Sequence, residues 1–180
     1  MRFSAGSFPI LHERREGGLM ETKDQLDNFY NRVDPWGFQT NPEDHNRKRI
    51  ILEVLESFGF FRNALDIGAG EGWITKDLPA EEIYAIEASE KAKSRLPENV
   101  IAIDEPEGKY DLILATGVLY QHYDCQRFLE IIRNHAGGIV LTCNIADWEH
   151  PDVKTLPFTQ MDEQRFPYRE YTQQLRIFTV

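Results

Sequence analysis

The chain has 180 residues, the size of one domain, with 41% hydrophobic, 12% aromatic and 28% charged residues, which excludes both a multi-enzyme architecture and a disordered composition. Twenty basic against 30 acidic residues leave a formal charge of -10, the opposite of a duplex-binding surface, so neither DNA nor an anionic membrane is an expected partner. Two cysteines, Cys125 and Cys143, are too few for a disulfide framework, and no apolar run approaches the roughly 18 residues of a membrane span; a cytoplasmic location is expected.

Residues 1–19 mix Gly, Ser and Pro with charges and show no helical period. They read either as a disordered arm or as a mis-assigned start, with Met20 as the natural one. Glu13-Arg14-Arg15-Glu16-Gly17-Gly18 is what a purine-rich ribosome-binding site yields when translated. Residues 20–180 are expected to form one domain, divided into lid helices (20–62), a binding core (63–144) and a C-terminal edge (145–180).

Leu26, Phe29, Tyr30 and Val33 repeat at three-to-four spacing and predict a short amphipathic helix, which Asp34-Pro35 ends. Asn41 as cap, Pro42 at the first position and Glu43 and Asp44 in the first turn predict a second helix, stopped by Gly59. Five apolar runs come next, Ala64–Ile67, Ile83–Ile86, Val100–Ile103, Leu112–Ala115 and Ile139–Cys143. Each suits a strand buried on both faces of a parallel sheet. Helices are predicted between them at Trp73–Leu78, Ser89–Leu96 and Cys125–His135. The pattern is that of a doubly wound α/β domain. Residues 145–180 read as a loop with a short helix, then a strand or hairpin at the sheet edge.

Leu65-Asp66-Ile67-Gly68-Ala69-Gly70-Glu71-Gly72 leads from the first strand into the first helical connection, where glycines let the backbone turn sharply and approach a ligand. About twenty residues on, the second strand ends in Glu87, where a carboxylate can accept hydrogen bonds from both hydroxyls of a ribose. The G-x-G-x-G spacing differs from the G-x-G-x-x-G of nicotinamide and flavin proteins.

The order LDIGAGEG, IYAIEAS, NVIAIDE and YDLILATGVLY, over Leu65 to Asn144, resembles the class I S-adenosylmethionine-dependent methyltransferases. The resemblance implies a Rossmann-like, mostly parallel seven-stranded-type sheet, with a C-terminal edge that so short a tail could leave reduced. It implies that S-adenosyl-L-methionine is the cofactor. Asp66 would organise the loop and reach the amino group, Gly68, Ala69 and Gly70 would pass along the methionine moiety, and Glu87 would bind the ribose. Ala88 or Ile103 would touch the adenine, Asp104 or Glu105 would receive its amino group, and Thr116, Gly117 and Val118 would face the methionine end. Asp34-Pro35-Trp36-Gly37-Phe38 and the basic run Arg47-Lys48-Arg49 are similar, over a short stretch, to the N-terminal lid of nodulation-type N-methyltransferases. By that similarity Trp36 covers the pocket, unless it only packs a helix on the sheet, and Arg47 pairs with the cofactor carboxylate, unless the run is a solvated face.

Catalytic candidates lie in Tyr120-Gln121-His122-Tyr123-Asp124, after the fourth strand. His122 is either a base oriented by Asp124 or a surface histidine; in many relatives the histidine stands where this chain has Gln121. Tyr120 and Tyr123 could form an aromatic wall. The Asn-Pro-Pro-Tyr signature of amino-methylating nucleic-acid enzymes and the Pro-Cys loop of cytosine-C5 enzymes are both missing from the sequence, and Cys143 reads as strand core. Asn144, Asp147 and His150 are too sparse a set for a metal centre, and none is expected. The expected activity is methyl transfer to N or O of a small or medium acceptor, a sugar, an amine or a secondary metabolite. The alternatives are a non-catalytic cofactor-binding module or partner subunit, and a protein or RNA methyltransferase. So little chain remains for an acceptor domain that the acceptor site is expected to be shallow or completed by a second subunit, as in a homodimer.

Overall fold

The computed structural model describes residues 23–121 and 125–180. The arm at 1–19, Met20, and the candidates His122, Tyr123 and Asp124 lie outside the described residues.

The first helix, α1 (Lys23–Phe29), buries none of its own residues. It is shorter than the predicted period: Tyr30 is buried just past its end, but Val33 is 66% exposed, because Asp34 takes a left-handed conformation and turns the chain away. Polar contacts dock α1 instead. Asp27 accepts from the Ser89 hydroxyl at 2.6 Å, and Lys23 pairs with Glu90 at 2.8 Å. Helix α2 (Pro42–Glu56) starts as predicted, with the Asn41 side chain accepting from the Glu43 N–H, and it ends before Gly59.

The sheet is built from β1 (Phe61–Ile67), β2 (Ala80–Ile86), β3 (Val100–Ala102), β4 (Tyr110–Thr116), β5 (Ala136–Ile145), β6 (Thr159–Tyr168) and β7 (Tyr171–Thr179). Their order is β3-β2-β1-β4-β5-β7-β6, with β1 to β5 parallel and β7 antiparallel to both its neighbours. The C-terminal edge is therefore not reduced. The third strand is shorter than expected and ends at Ala102.

Two predicted helices shrink. Residues 73–78 form only a 3₁₀ turn at Thr75–Asp77, since Pro79 and the start of β2 at Ala80 leave no room for further turns. Ile74 and Leu78 of this connection still reach the core under α2. At 89–96 the regular helix, α3, is Glu90–Lys93, capped by Ser89. The last helix, α4 (Cys125–His135), has the predicted bounds.

Alternation along the strands separates two cores. Ile51 and Leu55 of α2 cover Ala64, Leu112, Leu114, Leu141, Leu175 and Ile177. Leu129 and Ile132 of α4 cover Leu65, Ile67, Ile113, Val140 and Phe178 on the other face. Each such buried aliphatic side chain contributes about 1.5–3 kcal/mol, so β4, buried on both faces, reads as one continuous apolar run. No helix among the described residues is long and apolar enough to cross a membrane.

At the edge, Arg176 and Glu149 form an ion pair whose side chains are each 3% exposed, with Nε 3.1 Å from Oε1. The other Glu149 oxygen accepts from Asn144 Nδ2, and Asn144 Oδ1 accepts from the Leu119 N–H, each at 3.3 Å. Through this relay β7 holds the segment after β4, which also bonds the 148–150 backbone. Replacing Glu149 by alanine is expected to destabilise the fold by about 2 kcal/mol, as measured by urea unfolding, because Arg176 keeps its pair with Glu163 but its Nε and the Asn144 amide lose their acceptor. Arg49→Ala, which breaks an exposed pair with Glu53, is expected to cost less than about 1 kcal/mol in the same assay.

Candidate active site

The site opens at the carboxyl ends of β1 and β4, where neighbouring connections run to opposite sides of the sheet. The N–H groups of Gly68 and Ala69 both donate to the Ile86 carbonyl, which folds the loop back against β2. Gly68 has φ of 74°, and a Cβ there would stand 2.3 Å from Val118 Cγ1, so glycine is required by both conformation and space.

Glu87 braces this loop. Its Oε2 accepts from the Gly70 N–H at 2.7 Å and its Oε1 from the Ser89 N–H at 2.8 Å, which ties the glycine turn to the start of α3. Burial raises its pKa, against the opposing pull of the Ser89, Gly70 and Ala88 N–H groups. The carboxylate keeps lone-pair capacity for a ligand. Asp66, at the end of β1, accepts from the Thr75 hydroxyl at 2.6 Å through Oδ2, while its buried Oδ1 has no hydrogen-bond partner. Burial pushes the Asp66 carboxyl up to about 7.

A cavity of about 540 Å³ extends from here. Asp66, Gly68, Ala69, Gly70, Glu87 and Ala88 line one part of it, and Thr116, Gly117 and Val118 continue the wall over β4. Asp104 and Glu105 stand at its mouth rather than inside. The Asp104 side chain is 89% exposed and pairs with Lys93 at 2.8 Å, and Glu105 pairs with Arg127 at 2.7 Å. Hydrogen bonding to Lys93 holds the Asp104 carboxyl below its ordinary pKa.

The N-terminal segment also lines the cavity. Trp36 lines it and donates from Nε1 to the Tyr30 hydroxyl at 2.9 Å, with Phe38 stacked beside it and Phe29 tilted against it. The basic run divides by helical phase. Arg47 is buried and faces the cavity, the Lys48 ammonium pairs with Asp77, and Arg49 pairs with Glu53 on the outer face. The Arg47 guanidinium lies over the Phe38 and Tyr168 rings at 5.1 and 5.4 Å and 3.3 Å from Asp44.

Tyr120 is buried at the far wall, where its hydroxyl accepts from the Ile145 N–H at 3.1 Å. Burial raises its pKa, so it remains a phenol and packs edge-on against Trp148 at 5.9 Å. Cys143 is buried in β5, with its thiol pushed up to about 12 by burial. Asn144 serves the relay to Leu119, and no group of three or more metal-ligating side chains gathers among the described residues.

Three residues in or behind this wall carry no signal that the sequence makes visible. Asp44, by position only a first-turn acid, is fully buried, with its two oxygens accepting from Tyr168 Oη at 2.8 Å and Arg169 Nη2 at 2.9 Å. Tyr168 and Gln173 flank the turn between β6 and β7 and line the cavity. Tyr168 is hidden because it ends β6, a mostly exposed edge strand with no apolar alternation, and Gln173 because it is a polar residue within the buried run of β7.

A family model described as DREV methyltransferase matches residues 43–146, from the start of α2 through β5. This chain belongs to the DREV methyltransferase family. It is accordingly a class I, S-adenosylmethionine-dependent methyltransferase with a Rossmann-like sheet. The methyltransferase is similar in fold to the crystal structure of the N-methyltransferase NodS from Bradyrhizobium japonicum WM9 in complex with S-adenosyl-L-homocysteine. The TM-score is 0.76 at 20% identity, over 88% of this chain and 98% of that one. It is also similar to magnesium protoporphyrin IX methyltransferase (ChlM) from Synechocystis PCC 6803 with bound S-adenosylmethionine, with a TM-score of 0.67 at 15% identity over 92% and 99% of the two chains. A search of curated proteins found no match.

Proposed function

We propose that this methyltransferase methylates an N or O atom of a small or medium acceptor, a sugar, an amine or a secondary metabolite. The observation that carries the reading is the cavity lined by Trp36, Tyr120, Tyr168 and Gln173, whose 540 Å³ suits a small molecule beside a cofactor. NodS and ChlM, similar in fold, are named as methyltransferases, the second of magnesium protoporphyrin IX.

The polar groups fit S-adenosylmethionine. The orphan Oδ1 of Asp66 suits an ammonium, the remaining lone pairs of Glu87 suit ribose hydroxyls, and Arg47, with its Nε unpartnered, suits a carboxylate. Gly68, Ala69, Gly70, Thr116 and Gly117 would border the methionine moiety. Ala88, Asp104 and Glu105 would border the adenine at the mouth. The bound cofactor supplies a methyl group already activated by its sulfonium, so the chain has to align the acceptor and exclude water. Trp36 and Phe38 would exclude water from above. Tyr120 and Tyr123 would shape the acceptor wall, and His122 would take a proton where the acceptor must lose one.

The test is release of S-adenosylhomocysteine with a panel of amines, phenols and sugars, alongside the low-molecular-weight fraction of a cell extract. Turnover with small acceptors is expected. Turnover only with macromolecules, abolished by protease or ribonuclease, would overturn the reading.

A further inference from the structure

The cavity is polar in two different ways. The carboxylates that line it among the described residues, Asp66, Glu87, Glu90, Asp104 and Glu105, belong to β1 or to the segments following β2 and β3. Over β4, β5 and β7 the lining is Thr116 to Val118, Tyr120, Ile145, Tyr168 and Gln173, with Trp36, Phe38 and Arg47 above. No carboxylate lines that half among the described residues.

Gln173 is the polar group at its floor. It is 1% exposed, and its Oε1 accepts from the Cys143 thiol at 3.4 Å. With its oxygen on the thiol, the amide has its NH₂ group left for the cavity that Gln173 lines. The Gln173 side chain makes no other hydrogen bond among the described residues. This NH₂ group has no acceptor among the described residues, and a ligand oxygen entering the cavity would supply one. Position separates this donor from the cofactor. Gln173 is on β7, two strands beyond β4, hence about 10 Å from the wall that Gly117 borders.

We propose that Gln173 selects the methyl acceptor by donating to a carbonyl-type oxygen, of an amide, ester or carboxylate, on a molecule whose apolar body lies against Trp36, Phe38 and Ile145. A substrate presenting an ammonium at this position would meet an N–H donor and the Arg47 guanidinium, while the Asp44 carboxylate behind them is fully buried and already engaged by Arg47, Tyr168 and Arg169. The inference rests on the small-acceptor reading above and narrows it to acceptors rich in oxygen at this end.

Ligand-observed NMR on full-length protein saturated with S-adenosylhomocysteine tests it, with benzamide, benzoate and benzylamine as probes. At least one of the carbonyl probes is expected to bind with a Kd of about 1 mM, the range for so few atoms, and benzylamine at least tenfold more weakly. Gln173→Leu, close in shape but without the donor, should weaken the bound carbonyl probe tenfold while leaving S-adenosylhomocysteine affinity within twofold. Gln173→Glu, which keeps the shape and reverses the polarity, should invert the preference toward benzylamine. Equal or better binding of benzylamine to the wild type, no binding of either carbonyl probe, or unchanged carbonyl binding in Gln173→Leu would overturn the proposal. A tenfold loss of S-adenosylhomocysteine affinity in a folded Gln173→Leu would also overturn it, by assigning the amide to the cofactor. Failure of the wild type to bind S-adenosylhomocysteine would instead count against the methyltransferase site itself.

Discussion

Glu87→Ala is expected to bind S-adenosylhomocysteine at least about 100-fold more weakly than the wild type, and to be less stable by about 2–4 kcal/mol. The two effects have separate sources. Affinity falls because a ribose would lose its hydrogen bonds to a charged, buried acceptor, each worth about 1.5–3 kcal/mol. Stability falls because the N–H groups of Gly70 and Ser89, now held at 2.7 and 2.8 Å, would be left without their partner. Glu87→Gln should lie between, since an amide can accept at its oxygen but presents its NH₂ to the second donor. Titration calorimetry reads the first effect and urea unfolding the second. A folded Glu87→Ala protein with unchanged affinity would remove Glu87 from the site.

Asp66→Asn is expected to stabilise the free protein at neutral to alkaline pH while weakening cofactor binding. With its carboxyl pushed up to about 7 by burial, from 3.8 in an open chain, Asp66 keeps its proton in the folded state over a range where the unfolded chain has released it. Its contribution to stability is therefore fully present below about 3.8 and is lost as pH rises through about 7. That gap corresponds to a few kcal/mol, about 4 at most, by linkage. Asparagine carries no such charge and can still accept from the Thr75 hydroxyl, so the stability of Asp66→Asn relative to wild type should climb between about pH 4 and pH 8 and then level. Comparing the two proteins cancels the exposed carboxylates Asp27, Asp104 and Asp111, whose lowered pKa values act with the opposite sign. Urea titrations across that range check it, and a pH-independent difference would show that Asp66 is not a buried acid. Binding should move the other way. An ammonium needs the ionised form, so wild-type affinity should rise with pH toward 8, while that of Asp66→Asn stays low and flat.

The part of the site on β1 and β2 was legible because backbone requirements write themselves into residue types. Gly68 stands where φ is 74° and a Cβ would strike Val118, and Glu87 stands where the turn that Gly68 begins needs a carboxylate to hold its N–H groups. The helix at Cys125–His135 was legible to the residue, since its apolar positions repeat at one period and glycines at 137 and 138 lie just beyond it. The connection at 73–78 was not. Its apolar residues serve the core under α2 equally well from a 3₁₀ turn, and composition does not distinguish the two. Arg47, Lys48 and Arg49 are chemically alike in the sequence, and only the packing of α2 on the lid and β6 turns one of them into the cavity.

The sequence by itself determined a doubly wound parallel sheet, its glycine turn and the carboxylates beyond that turn, because each depends on neighbours close along the chain and on strands buried on both faces. Tertiary structure decided how the far wall of the cavity is assembled. Trp36, Arg47, Tyr120, Ile145, Tyr168 and Gln173 come from a lid, a helix, a loop and three strands, and they share a wall only because β7 inserts between β5 and β6. Register across the antiparallel pair of β5 and β7 places Gln173 opposite Ile145 and its amide against Cys143, a relation between residues about thirty apart that no local pattern encodes.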